Sequence, residues 1–289
     1  MEMELEASPP GSSTMQCMEI RGGNRAAEHA LQTPGLDLWI FSEPYHGEKA
    51  GGDVHYVSLC GGGIITRLII ADVSGHGESV DGFSVALRSL MRRNINSKSQ
   101  ARLVEALNVQ FSELAQLRRF ATAVVATYLA TTDRLTISNA AHPRPLWYRA
   151  SERSWSLLTH ASGQVARPAP GSNLPLGVDE ATAYEQFEVD LGAGDLVVIY
   201  TDALMEAMGP DRTMLGESGL LELAGELGPA LPETFGRRLL AAVGSFRGAE
   251  PADDDVTLLV LHHNGGPPRH LSVGEKLDVY AKVFGLRAV

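Results

Sequence analysis

The feature that most constrains the fold is the rhythm of apolar segments: short runs of strand length come in succession, and pairs of helical segments interrupt them. Leu36–Ser42, Val54–Cys60 and Ile64–Ala71 are such runs, the last two separated by Gly61-Gly62-Gly63, which reads as a hairpin turn. Apolar residues then recur in a helical pattern at Val80, Phe83, Val85, Leu87, Leu90 and Met91, and again at Leu103, Leu107, Phe111 and Leu114. Strand runs return at 121–130, 135–139 and 146–149. A Gly-, Pro- and Ser-rich loop is expected over about 161–177, followed by a hairpin of 184–189 and 196–201 turning at Gly192-Ala193-Gly194. Helices are expected near 219–226 and 232–246, and a last strand over 256–262. Runs of strands between pairs of helices, without a strand-helix-strand alternation, predict an α+β fold: two packed antiparallel β-sheets flanked by pairs of helices.

Residues 1–35 carry Ser-Pro-Pro-Gly-Ser-Ser and few periodic apolar positions, and are expected to be a flexible extension. The domain is expected over 36–264. Gly265-Gly266-Pro267-Pro268 then begins a linker and short C-terminal helix over 265–289, with helical spacing at Glu275–Phe284.

Composition narrows the function classes. The formal net charge of -11 and the lack of a dense Lys/Arg run disfavour a nucleic-acid or anionic-membrane partner. Cys17 and Cys60 are the only cysteines in the 289 residues, so neither a disulfide framework nor a zinc ligand set is expected, and a reducing, cytoplasmic location fits. The N-terminus lacks a basic start followed by an apolar stretch, which argues against a signal peptide, and no apolar run reaches the ~18 residues of a membrane span. Neither a Gly-x-Ser-x-Gly elbow nor a phosphate-binding Gly-x-x-x-x-Gly-Lys-Ser/Thr loop occurs.

Aspartates at strand edges carry the chemistry: Asp53 after Ala50-Gly51-Gly52, Asp72 after Ile70-Ala71, Asp202 after Tyr200-Thr201, and the run Asp253-Asp254-Asp255 before Val256. One such residue usually closes a turn. Several converging would repel strongly unless a cation lay between them, and hard divalent ions favour such all-oxygen ligands. A two-cation hydrolytic site is therefore expected. Gly51-Gly52 and Gly75 allow close approach of the main chain to a bound ion or phosphate. His76, between two glycines, is a candidate proton donor, although a lone loop histidine is more often structural. His142 reads as structural.

Taken in order, Ala50-Gly51-Gly52-Asp53, Ala71-Asp72-Val73-Ser74-Gly75-His76-Gly77, Asn139-Ala140-Ala141-His142-Pro143, Leu174-Pro175-Leu176-Gly177, Gly194–Asp202 and Asp254-Asp255-Val256-Thr257 resemble the blocks of the metal-dependent PPM phosphatases (protein phosphatase 2C-like), within them the bacterial SpoIIE-type branch. The resemblance spans about Leu36–His262. It implies a serine/threonine phosphatase using two divalent cations, Mn²⁺ or Mg²⁺, in which Asp72 bridges both and the Val73 carbonyl completes one shell. Asp53, Asp202 and Asp254 would hold the other cation directly or through water. Gly52, Gly75, His76 and Asp255 would stand beside the site. The implied substrate is a phosphorylated regulatory protein, such as an anti-sigma-factor antagonist in partner-switching. Control is expected through the two helices between Glu78 and about Leu117, by way of a separate activating protein or a homodimer.

The chain departs from the family pattern at Ala203 and Ala141, where glycine is usual, at Met205, where threonine is usual, and at Val54-His55-Tyr56, which bears on the substrate groove. Were position 203 to need positive φ, alanine would strain it by ~1 kcal/mol. These departures support an alternative, a catalytically weak phosphatase-like module that binds and sequesters a signalling protein. Retention of all four acidic positions favours catalysis, because a binding surface has no need of mutually repelling carboxylates.

Overall fold

The computed structural model describes residues 12–74, 78–94, 100–114, 120–167, 174–248, 250–266, 272 and 274. Gly75 and His76 lie outside the described residues, as does the helix expected over Glu275–Phe284.

Two seven-stranded sheets form the centre among the described residues. The first has the order β1-β3-β4-β14-β13-β9-β10, with β1 Ser13–Thr14, β3 Ala27–Thr33, β4 Leu36–Glu43, β9 Leu146–Arg149, β10 Ser154–Leu157, β13 Leu196–Tyr200 and β14 Val256–His263. The second runs β11-β12-β8-β7-β6-β5-β2, with β2 Ile20–Gly23, β5 Asp53–Cys60, β6 Ile65–Val73, β7 Ala121–Leu129, β8 Arg134–Ala140, β11 Gln164–Arg167 and β12 Gln186–Asp190. The pairings are antiparallel apart from the short β1/β3 contact. Helices α1 Glu78–Asn94 and α2 Gln100–Leu114 cover the second sheet, and α3 Gly216–Leu227 and α4 Pro232–Arg247 cover the first.

Strand alternation explains the three apolar layers. Leu38 and Ile40 of β4 meet Val57, Leu59, Leu68 and Ile70 between the sheets. Val54, Tyr56, Ile69 and Ala71 face outward onto Val80, Leu87, Leu103 and Leu107 of the first helix pair. On the opposite flank, Trp39, Val198 and Leu258 pack on Leu220, Phe235, Leu239 and Val243. Because β5, β6, β7, β13 and β14 are apolar on both faces, they read as continuous runs, and the helices supply the second cover. The α+β sandwich expected from the sequence is the fold observed.

Two sequence expectations are corrected. The stretch before Leu36 is not a free extension from Ser13 onward: β2 pairs with β5, and β3 pairs along its length with β4. This stretch is half-exposed, and among its described residues only Met15 and Leu31 enter the core between the sheets, so its apolar periodicity is too sparse to announce its strands. The expected hairpin of 184–201 is likewise not formed. β12 pairs with β8 in one sheet, whereas β13 pairs with β9 and β14 in the other. The Gly192–Gly194 turn crosses between sheets, and buried Asp195 fixes it by accepting from the Gly192 and Ala150 amides at 3.0 and 2.9 Å. Part of the expected loop is also a strand, β11, added to the edge beside β12.

Candidate active site

Asp53 opens β5 and Asp72 nearly closes β6. In the antiparallel ladder the two residues stand directly opposite each other. Asp202 follows β13 at the start of a single 3₁₀ turn, and Asp254 immediately precedes β14, whose first residues pair with the end of β4. Four strand ends, two from each sheet, thus bring these carboxylates to one end of the sandwich.

Buried threonines and Asp255 hold the arrangement. The Thr201 hydroxyl donates to Asp53 Oδ2 at 2.7 Å and accepts from the Thr257 amide at 2.9 Å, linking the two sheets below the acids. Asp255, buried and one residue from Asp254, accepts from the Tyr45 amide at 2.6 Å, from the Gly52 amide, and from the Asp53 amide at 3.3 Å. It is therefore an anchor for the loop that presents Asp53. Gly51 is obligatory there, since a Cβ at that position would lie 2.5 Å from the Asp255 carboxylate. The loop's other side is tied by the Gly51 amide donating to the Asn24 carbonyl at 2.8 Å.

The electrostatics are those of crowded acids. Burial, followed by the charges of Asp202 and Asp254, pushes the Asp72 carboxyl up to about 7. Burial and then Asp72 hold Asp53 well above the usual carboxylate range, against the opposing Thr201 hydrogen bond. Asp202 is raised by burial, then by Glu206 and Asp254. Glu206 was not singled out in the sequence, although its position four residues after Asp202, one turn on, was the available signal. Among the described residues no three His, Cys, Asp or Glu side chains converge on a common point as a formed cation site. The donor set nevertheless fits hard divalent cations: it is all oxygen, and its mutual repulsion is what a cation between the acids would relieve.

The sequence profile of the Stage II sporulation protein E (SpoIIE) family matches residues 65–264. The chain belongs to this family. Its fold agrees, being that of the PPM (PP2C-type) phosphatases. The RsbU and RsbW domains of a Mycobacterium tuberculosis protein superpose with a TM-score of 0.65 at 22% identity, over 90% of this chain and 70% of that one. The PP2C phosphatase domain of the cell fate determinant SpoIIE from Bacillus subtilis, solved with a fragment of its regulatory domain, gives 0.63 at 16% identity, over 80% and 64%. RsbX in complex with magnesium gives 0.57 at 15% identity, over 82% and 99%. No curated protein sequence gives a significant match.

Two departures from the SpoIIE-type pattern now have a structural reading. Ala203 lies buried within the 3₁₀ turn and is not among the residues with positive φ, so the strain considered for it does not arise. Ala141 does carry the cost, with φ of 54°. It sits in a tight turn closed by Asn139, which accepts from the His142 amide at 2.8 Å and donates to the His142 carbonyl at 2.9 Å. His142 is structural, as its sequence context suggested. Its Nδ1 lies 2.8 Å from the hydroxyl of Thr122, the residue paired with Asp72 across β6 and β7, and burial drives its pKa down to about 3.

Among the described residues no helix is long and apolar enough to cross a membrane.

Proposed function

We propose that this SpoIIE-family chain is a metal-dependent phosphatase that hydrolyses phosphoserine or phosphothreonine on a regulatory protein, with an anti-sigma-factor antagonist as the substrate type. The observation that carries the reading is the placement of Asp53, Asp72, Asp202 and Asp254 on adjoining strand ends of a PP2C-type fold, with the carboxyls of Asp53, Asp72 and Asp202 raised by burial and neighbouring acidic charge. The regulatory names of the structural neighbours, RsbU, RsbW and SpoIIE, support the substrate type. Cys17 and Cys60 are not joined in a disulfide, which suits the cytoplasm, where such a substrate would be met.

In this reading Asp72 and the Val73 carbonyl, with Asp53, Asp202 and Asp254, would hold two divalent cations, Mg²⁺ or Mn²⁺. When bound, these would supply Lewis-acid activation of the attacking water and neutralisation of phosphoryl charge. The protein's own part is preorganisation. Thr201 orients Asp53 and favours its ionised form, Asp255 pins the Gly51-Gly52 loop, and the paired β5 and β6 ends fix the separation of Asp53 and Asp72.

The test is turnover of a phosphoserine peptide and of p-nitrophenyl phosphate with Mn²⁺, Mg²⁺ or EDTA, comparing wild type with Asp72→Ala and Asp202→Ala. The expected result is metal-dependent activity that each substitution lowers by about a hundredfold or more. Folded wild type that is inert with every metal and equal to both variants would instead support the sequestering module.

A further inference from the structure

Beside the acidic centre lies a groove of opposite charge. It occupies about 620 Å³ between the β2–β3 turn, β5 and one face of α1. Arg25 and His29 border it on the turn side, and Arg88 and Arg92 border it from α1. None of the described residues lining it is acidic, in a chain whose formal net charge is -11. Arg88 and Arg92, both exposed, stand one helical turn apart, a like-charged spacing that is unfavourable in a helix and that an anion lying against it would relieve.

At the groove's base lies His55 of β5, 1% exposed, and neither of its ring nitrogens has a hydrogen-bond partner within the protein. A buried imidazole left without partners is costly, and a ligand oxygen or its bridging water would relieve it. The groove is tied to the catalytic end through the loop that presents Asp53. Asn24, another lining residue, bonds the backbone of Gly51, two residues before Asp53, and α1 begins six residues after Asp72.

We propose that this groove receives acidic residues flanking the phosphorylated side chain of the substrate protein, so that Arg25, Arg88 and Arg92 select acidic phosphosegments while the aspartate centre handles the phosphoryl group. The inference rests on the phosphatase reading for its placement of the phosphoryl group. The charge complementarity stands on the groove itself. Opposite charges across such a surface act on encounter and binding more than on the chemical step.

The experiment compares full-length wild type with the double variant Arg88→Gln/Arg92→Gln on three substrates: a phosphoserine peptide flanked by glutamates, the same peptide flanked by glutamines, and p-nitrophenyl phosphate. The double variant is expected to raise KM for the acidic peptide by roughly threefold to tenfold, with kcat and the other two substrates changed by less than about twofold. Added salt should narrow the difference. An equal change on acidic and neutral peptides, or no change on either, overturns the proposal. Binding of the fluorescently labelled acidic peptide in EDTA, followed by anisotropy, separates this from failure of the phosphatase reading. Weakening by Arg88→Gln/Arg92→Gln supports the groove even if no metal gives turnover, and unaltered binding sinks it even in an active enzyme.

Discussion

At the scale of single residues, the backbone decides which departures from the SpoIIE-type pattern matter. Ala203 and Ala141 look alike in the sequence, each an alanine where glycine is usual. Only Ala141 adopts the left-handed conformation, because Asn139 closes a turn around it in which the chain must reverse, whereas Ala203 continues a 3₁₀ turn with ordinary φ. Ala141→Gly is therefore expected to stabilise the protein by about 0.5–1 kcal/mol, seen as a higher urea midpoint with an unchanged slope. A lower midpoint would mean that the alanine methyl has packing worth more than the strain. The aspartates themselves were legible because each stands at the edge of an apolar run. Thr201 and Tyr45 were not singled out, since nothing in their own neighbourhoods says that the Thr201 hydroxyl reaches Asp53 and the Tyr45 amide reaches Asp255.

At the scale of elements, long two-sided strands and paired helices were readable from period, while the edge strands and the crossing between sheets were not. An apolar run followed by a glycine turn and a second run looks the same whether the second strand pairs back or changes sheet. What separates the cases is that β12 finds β8 and β13 finds β14. The packing of α4 on β4 depends on one glycine. A Cβ on Gly236 would lie 2.2 Å from the ring of Trp39, which is itself buried. Gly236→Ala gains about 1 kcal/mol of helix propensity but must displace an indole in a close-packed layer, which costs more. Net destabilisation of roughly 1–3 kcal/mol is expected by chemical denaturation, and a neutral or stabilising result would show that the α4–β4 contact has room to shift.

At the scale of the whole molecule, the acidic end trades stability for chemistry. With its pKa near 7 in the folded protein and near 3.9 unfolded, Asp72 takes up a proton on folding between those values. Its contribution is therefore favourable on the acid side and is lost as pH rises toward 7. For metal-free protein at pH ~7.5, Asp72→Asn should raise stability by roughly 2–4 kcal/mol, and the gain should shrink near pH ~5. Divalent cation should raise the Tm of wild type and leave that of Asp72→Asn nearly unmoved. His142 works in the other direction: with a folded pKa of about 3, it costs stability as pH falls below ~6.5. A variant no more stable than wild type at pH ~7.5 would show that the acids are relieved by water and need no cation.

The sequence by itself determined the fold class, the two helix pairs and the identity of the four acids, because hydrophobic period and residue chemistry are local properties. It also carried the family, through short blocks in a fixed order. Tertiary structure alone decided that residues from Ser13 belong to the sheets, that Asp53 faces Asp72 across a strand pair, and that Ala141 and not Ala203 bears the strain. It likewise decided that Arg25 and, more than sixty positions further on, Arg88 and Arg92 border one groove with His55 at its base. The reason is common to all of these: each depends on which strand lies beside which, and pairing is fixed by the burial of whole faces, not by the residues of any one segment.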